Sequence, residues 1–262
     1  MTQAMLWDVH ALTDTHCHVS HLDPQGWQVV LQRAIKSGVK NFVIVSVDHP
    51  DFEKSKQILS PELHPFLSLG THPHEAKTYD PSTWEKWFGA ESYMAVGECG
   101  LDYYYEHSPK KVQREVFCHQ LEMARVYRKP IIVHIRDAFE DAFPLIKEYS
   151  QKGVTGVVHC YTGSAEQLRP ILDAGWCVGF TGIITFDNKV EAILDALAQV
   201  PMDRVLLETD SPYLAPKPHR GKPNESGYLP FIAQKIAEVK GISVPEVTKV
   251  ATQNAIRLFL EK

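Results

Sequence analysis

The stretch L-T-D-T-H-C-H-V at residues 12–19 predicts a buried β-strand that ends in two histidines. Side chains alternate between the faces of a strand, so Asp14, His16 and His18 share one face and Cys17 points away from it. Two imidazoles on one face can bind a single metal ion. The same pattern is typical of ordinary polar residues near a strand end. The metal interpretation therefore requires further ligands from the rest of the chain.

Seven more short apolar runs, rich in Val, Ile and Phe, alternate with helical patterns. The predicted strands cover residues 12–19, 41–47, 66–71, 94–100, 130–135, 156–161, 177–181 and 205–209. Such runs are typical of parallel strands buried on both faces. The sequence predicts the α/β class, as a (β/α)8 TIM barrel in a single domain over residues 1–262 with C-terminal helices. A doubly wound open sheet is the alternative, but it usually has fewer strands.

Helix starts are predicted from capping residues. A capping residue precedes a proline at Asp23-Pro24, Asp80-Pro81 and Ser108-Pro109. Spacing equal or close to that of a capping box joins Asp137 with Glu140, Ser164 with Gln167, and Ser243 with Glu246. Gly38 predicts the end of the first helix.

Composition narrows the class of protein. With 44% hydrophobic and 23% charged residues, the chain has the balance of a soluble globular protein. Its net charge of -5 argues against a general nucleic-acid coat, although metal ions can reverse the local charge of an enzyme site. Five cysteines without a C-x-x-C pair favour a reducing compartment over a disulfide framework. With no signal peptide and no membrane span in the sequence, we expect a cytoplasmic protein.

Candidate metal ligands fall at the strand ends, where a barrel of this type carries its active site. They are His16, His18, Glu98, His134, His159 and Asp210. Converging His, Asp and Glu side chains form hydrolytic metal centres, and six ligands suit two ions about 3.5–4 Å apart. Glu98 is the expected shared ligand, because a carboxylate can bridge two cations. Imidazole favours zinc or manganese over magnesium, but the sequence does not choose among them.

Other residues near the same mouth are expected to support the centre or contact substrate. His72, Arg136 and Arg220 are candidate substrate-binding residues, the last within a long basic loop at residues 211–228. The tyrosines at 103–105 could stack on bases. Asp14 is expected to orient the two histidines from below. Alternation turns Cys17, Cys99 and Cys160 toward the helices, as packing residues and not as ligands.

The motifs together resemble a known family. They are D-T-H-C-H (14–18), G-T-H-P-H (70–74), G-E-C-G-L-D-Y (97–103), V-H-I-R-D (133–137), H-C-Y-T-G (159–163), L-E-T-D-S-P (207–212) and H-R-G-K-P-N-E (219–225). The chain resembles the TatD family of metal-dependent deoxyribonucleases, within the amidohydrolase-like barrel superfamily, in its two-metal form that contains H-x-H. The resemblance implies a (β/α)8 barrel that hydrolyses DNA phosphodiesters. It also implies that His16, His18, Glu98 and Asp210 hold one ion, and that Glu98, His134 and His159 hold the other.

The expected reaction is attack by a metal-bound water on a phosphodiester, with Glu98 bridging the ions and Asp210 as general base. The expected substrate is DNA, single-stranded or at an end, cleaved as by an exonuclease. The expected protein is a monomer without membrane contact. An amide, ester or lactone hydrolase and an aminoacyl-tRNA deacylase are alternative enzymes, and a metal-storing barrel is the non-enzymatic alternative.

Overall fold

A computed structural model describes residues 7–22, 24–58, 65–188 and 190–261. Within these residues, eight parallel strands form one sheet in chain order. The strands are β1 Leu12–Cys17, β2 Val39–Ile44, β3 Phe66–Leu69, β4 Ala95–Asp102, β5 Ile131–Arg136, β6 Gly156–Val158, β7 Cys177–Phe180 and β8 Val205–Leu207. Every predicted strand is confirmed. Some end early: β6, for example, stops at Val158 and not at residue 161.

Helices follow the strands around the outside. They are α1 Pro24–Lys36, α2 His49–Ser55, α3 Pro81–Ala90, α4 Lys110–Tyr127, α5 Phe139–Gln151, α6 Ala165–Asp173, α7 Glu191–Gln199, α8 Leu229–Lys240 and α9 Val244–Phe259. Short 3-10 helices lie at Val19–His21, Lys56–Ile58, Pro73–Thr78, Gly182–Thr185, Met202–Arg204 and Ser226–Tyr228. None of the helices in the described part of the chain is long and apolar enough to cross a membrane.

The sheet closes on itself because β8 returns to β1. The Asp210 amide donates to the His16 carbonyl over 2.9 Å, and the His18 amide donates to the Ser211 carbonyl over 2.7 Å. An isolated parallel bridge joins Cys17 to Ser211. The predicted (β/α)8 barrel is thereby confirmed, and the ends of the first and last strands meet at the mouth.

Two clusters of apolar side chains form the core and determine where the polar site lies. One joins outward-facing strand residues such as Val133 to helix residues such as Leu121. The other joins alternate strand residues, including Ile132 and Leu206, to Trp7. Because Ile132 lies two residues before His134 on β5, His134 projects on the face that carries the second cluster. The polar side chains at the mouth therefore rest on an apolar layer.

Several helix-boundary predictions are confirmed. Asp80 accepts a hydrogen bond from the backbone of α3, Ser164 forms a reciprocal capping box with Gln167, and Ser243 caps α9. The first helix ends at Lys36, and Gly38 adopts a φ of +88° just beyond it. Each of these caps satisfies or redirects backbone groups that a helix end leaves unpaired.

Two capping predictions are wrong, and a third lies outside the described residues. Ser108 Oγ accepts from the Lys77 backbone amide and donates to the His74 carbonyl, so tertiary contacts occupy the oxygen that would have capped α4. Asp137 sits at a φ of +53°, and α5 begins at Phe139 with no side-chain cap. Asp23 falls among the residues that the structure does not describe.

Candidate metal centre

Five imidazoles lie around the two oxygens of one buried carboxylate, Glu98, and four of them belong to predicted ligands. Its Oε2 lies 3.2 Å from His16 Nε2 and 3.6 Å from His18 Nε2. Its Oε1 lies 2.9 Å from His159 Nε2 and 3.2 Å from His134 Nδ1. The Glu98 side chain is only 3% exposed. The carboxylate therefore lies between two sets of nitrogen donors, one on each oxygen.

Asp210 lies on the side of His16 and His18. Its Oδ1 is 3.4 Å from His18 Nε2 and 3.8 Å from His16 Nε2. Its side chain is 15% exposed, more than that of any of these partners, so it faces the open mouth. The structure thus brings all six predicted ligands together around Glu98, and their division between two ions stays a prediction.

Outer hydrogen bonds set which nitrogen of two rings faces the centre. His18 Nδ1 lies 2.9 Å from the Val45 carbonyl, which can only accept, so a neutral ring carries its lone pair on Nε2. His134 Nε2 lies 3.2 Å from Asp102 Oδ2, which leaves the lone pair on Nδ1. Oxygen partners of this kind are typical around metal-binding histidines. The donor set therefore fits divalent cations.

His72 is oriented differently from these rings. Its Nδ1 accepts a hydrogen bond from the His74 backbone amide, so the neutral ring carries its proton on Nε2. That Nε2 lies 3.6 Å from Glu98 Oε1. Burial lowers the pKa of His72 well below its ordinary value, which keeps the ring neutral. His72 therefore presents a donor at the mouth where His18 and His134 present lone pairs, as its predicted contact with substrate requires.

The carboxylates of the cluster are ionised in spite of their burial. Burial alone would raise the pKa of Glu98, but neighbouring imidazoles, chiefly His159 and His16, hold it well below its ordinary value. Burial opposes ionisation of Asp210 as well, but its contact with the His18 imidazole and the nearby His159 hold that pKa below its ordinary value. Two buried anions among imidazoles attract cations strongly, because little water screens the charge.

Comparisons with known proteins identify the family to which the chain belongs. The model of the TatD-related DNase family matches residues 13–260. The chain belongs to this family. It is 37% identical over 258 residues to an uncharacterized metal-dependent hydrolase of Bacillus subtilis (strain 168), with 97% of this chain and 99% of that protein covered.

Two further comparisons relate the TatD-family chain to a relative that is named as an exonuclease and to a crystal structure. It is 31% identical over 240 residues to the 3'-5' ssDNA/RNA exonuclease TatD of Pantoea ananatis, covering 88% of this chain and 92% of that protein. The crystal structure of a TatD homologue from Escherichia coli superposes with a TM-score of 0.87 at 24% identity, covering 96% of this chain and 99% of that one. That second likeness concerns the fold alone.

Asp102 is a central residue of this TatD-family site to which the sequence analysis gave no role. Its Oδ2 accepts from His134 Nε2 over 3.2 Å and from His74 Nε2 over 2.9 Å. Burial would raise its pKa, but these two hydrogen bonds outweigh burial and hold the pKa far below its ordinary value. Asp102 lies four residues after Glu98 on β4, so strand alternation could have placed it on the same face.

Glu208 and Asp14 support the ligands from below. Glu208 accepts from the Cys160 amide over 2.9 Å and lies 3.7 Å from His159 Nδ1. Asp14 accepts from the backbone amides of His16, over 3.3 Å, and Thr209, over 3.0 Å. Asp14 therefore contacts the backbone next to the histidines, and its role in orienting their rings stays a prediction.

The predicted substrate-binding arginines contact aromatic rings. Arg136 places its guanidinium 4.1 Å from the ring centre of Tyr104 and 4.7 Å from that of Tyr105. Arg220 lies 3.7 Å above the Phe186 ring and donates to the Ala215 carbonyl over 3.4 Å. Contact of either arginine with a phosphate stays a prediction.

The basic loop and the cysteines are placed as follows. Lys217, from the loop after Asp210, forms an ion pair with Asp187.

The Cys17 thiol donates to the Val43 carbonyl, and the Cys99 thiol contacts the Ile132 carbonyl. These thiols therefore face the backbone of neighbouring strands.

Proposed function

We propose that the protein is a divalent-metal-dependent hydrolase that cleaves DNA phosphodiester bonds as an exonuclease on single-stranded ends. The observation that carries this proposal is the arrangement around Glu98, whose two oxygens face separate groups of imidazole nitrogens. A carboxylate shared by two cations is the usual centre of enzymes that displace phosphate esters. The exonuclease name of the Pantoea ananatis relative supports the choice of nucleic acid.

The chain's own residues divide into two ligand groups. His16, His18 and Asp210 would hold one ion with Glu98, and His134 and His159 would hold the second with the same carboxylate. Zinc and manganese suit the imidazole-rich set, and magnesium is the third candidate. Divalent ions bound there lower the pKa of water and neutralise phosphate charge.

The remaining steps belong to side chains at the mouth. Asp210 is ionised and partly exposed, so it can take a proton from attacking water as a general base. His72 is neutral with its proton on Nε2, so it can donate to a phosphate oxygen without adding charge. Asp102 keeps the proton of His134 on Nε2 and so preserves the lone pair on Nδ1.

End-labelled substrates test the proposed activity. Metal-free protein is mixed with 5'- or 3'-labelled single-stranded DNA and RNA, and zinc, manganese or magnesium is added singly. An exonuclease shortens the strand progressively from one end. Glu98→Gln and Asp210→Asn should abolish cleavage, because each removes an anionic ligand. Glu115→Gln, on the exposed face of α4, is the matched control and should cleave like wild type.

Two results would contradict the proposal. Undiminished cleavage by well-folded Glu98→Gln would show that the shared carboxylate is dispensable. Absence of cleavage with all three metals, together with turnover of an amide, ester or aminoacyl-tRNA, would mean that the site catalyses one of those reactions instead.

Metal analysis tests the division into two groups. The double variant His16→Ala/His18→Ala should retain the ion held by His134 and His159, and His134→Ala/His159→Ala should retain the other. Each variant should therefore contain about one ion per chain by mass spectrometry, where wild type contains two. Loss of both ions, or retention of both, in either variant would refute the division.

A further inference from the structure

We propose that Tyr104 stacks on a nucleobase next to the scissile bond, on a platform formed with Arg136 and Tyr105. The inference rests on the proposed nuclease function and adds to it the means by which the site holds a single strand. Arg136 enters here as a support for the rings, in place of the direct phosphate contact expected from sequence.

The tyrosine side chains of this platform are unusually exposed to solvent. In the described part of the chain the exposed large hydrophobic side chains include three tyrosines, Tyr104, Tyr105 and Tyr213. All three lie in segments that follow β4 or β8, at the mouth of the barrel. Tyr104 is 59% exposed and Tyr105 is 50% exposed. Neighbouring exposed rings are unfavourable in water and are a mark of binding surfaces.

The platform has a defined shape. The rings of Tyr104 and Tyr105 lie 4.8 Å apart at 87°, so they form a corner. The Arg136 guanidinium lies over both rings, 4.1 Å and 4.7 Å from their centres. Among the described residues, the ring contacts of Tyr104 are those with Tyr105 and Arg136. Arg136 thus supports one face of the Tyr104 ring, while the residue as a whole is 59% exposed and accessible to a flat ligand.

A single carboxylate ties the platform to the metal centre. Asp102 Oδ1 accepts from the backbone amides of Tyr104 and Tyr105, each over 3.0 Å. Asp102 Oδ2 accepts from Nε2 of His134, whose Nδ1 faces Glu98. The platform is therefore linked to the ligands of the proposed ions through one residue, Asp102.

The chemistry of the corner selects its ligand. Aromatic rings beside a cation bind the bases of single strands through stacking, with little dependence on sequence. The net charge of -5 provides no general attraction for a phosphate backbone, so stacking near the site has to supply part of the affinity. A small ester or amide substrate without a base would leave the platform unused.

Fluorescence of 2-aminopurine tests stacking directly. Single-stranded DNA carries this base at each of its last three positions in turn, and its emission falls when it stacks on an aromatic ring. Wild type and Tyr104→Phe, which keeps the ring, should quench the emission at one position. Tyr104→Leu keeps apolar bulk without a π face and should lose the quenching. The high exposure of Tyr104 means that neither change should alter the fold.

Kinetics provide the second measurement. Tyr104→Leu should raise the KM for single-stranded DNA by about 5- to 150-fold, since one stacked base contributes about 1–3 kcal/mol. The kcat should change much less, because Tyr104 touches none of the proposed ligands. On an oligonucleotide lacking the base at the quenched position, Tyr104→Leu and wild type should be equal.

The outcomes separate this inference from the proposed function. Quenching that depends on the Tyr104 ring, without cleavage by any metal-loaded protein, supports the platform and refutes the nuclease. Cleavage by wild type with equal KM values for Tyr104→Leu refutes the platform alone. Equal loss on intact and abasic DNA also overturns it, because the ring would then serve the structure and not the base. Neither quenching nor cleavage in wild type refutes both.

Discussion

Replacement of Asp102 by asparagine should weaken one metal site while leaving the other intact. The Asp102 carboxylate accepts hydrogen bonds from the imidazoles of His134 and His74 and from the amides of Tyr104 and Tyr105. Asparagine retains one oxygen, which can still accept from both amides. Its NH2 group then faces the imidazoles, so His134 Nε2 must accept where it now donates. The proton of His134 moves to Nδ1, the atom that faces Glu98.

The size of the expected loss in metal affinity follows from the position of that proton. A protonated Nδ1 cannot bind a cation, so metal binding must first restore the original tautomer against the NH2 group. Loss of such an outer partner weakens metal affinity by about 10–100-fold, or about 1.4–2.7 kcal/mol. The ion held by His16, His18 and Asp210 does not depend on Asp102, and its affinity should change by less than about twofold.

Calorimetric titration of metal-free protein with zinc measures both affinities. Asp102→Asn should show one weakened step and one unchanged step. Asp141→Asn is the matched control, because Asp141 accepts from the Tyr103 hydroxyl over 2.7 Å without touching an imidazole. Two unchanged steps in Asp102→Asn would refute the tautomer argument. Equal weakening of both steps would refute the separation of the two ligand groups.

Three further results are expected. Gly179→Ala would place a methyl group 2.1 Å from the buried Glu208 carboxylate, so denaturant titration should show a loss of about 1–3 kcal/mol and metal titration a weaker His159 site. Ser164→Ala removes the cap of α6 and should cost about 1 kcal/mol of unfolding free energy in the same denaturant assay, with unchanged metal content. Zinc at 100 times its dissociation constant should stabilise metal-free protein by about 2.7 kcal/mol for each site filled, measured as a rise in Tm that Glu98→Gln largely removes. A similar rise in Glu98→Gln would place the bound zinc elsewhere.

The strands were predictable because burial on both faces requires continuous apolar runs, and these stand out from the helical pattern. Their ends were less predictable, as β6 illustrates by stopping at Val158. Capping was predictable where only neighbouring residues take part, as at Ser164. It failed at Ser108, because its hydroxyl oxygen accepts from the backbone amide of Lys77, 31 residues away in the sequence.

The candidate ligands were predictable for a topological reason. In a parallel barrel all C-terminal strand ends meet at one mouth, so residues distant in sequence are brought together without detailed knowledge of packing. The roles of the neighbouring groups were not predictable in this way. Arg136 was predicted to contact substrate, but its contacts with Tyr104 and Tyr105 could not be foreseen from the sequence.

The sequence by itself determined the barrel and which side chains reach its mouth, because strand periodicity and chain order suffice for both. Only the tertiary structure decided which oxygen of Glu98 faces which histidines, and which nitrogen of His18, His72 and His134 carries the proton. Those details depend on carbonyl and carboxylate partners contributed by neighbouring strands. The hydrogen bonds that these partners form across strands follow no periodic pattern in the sequence. They can therefore be assigned only from the folded barrel.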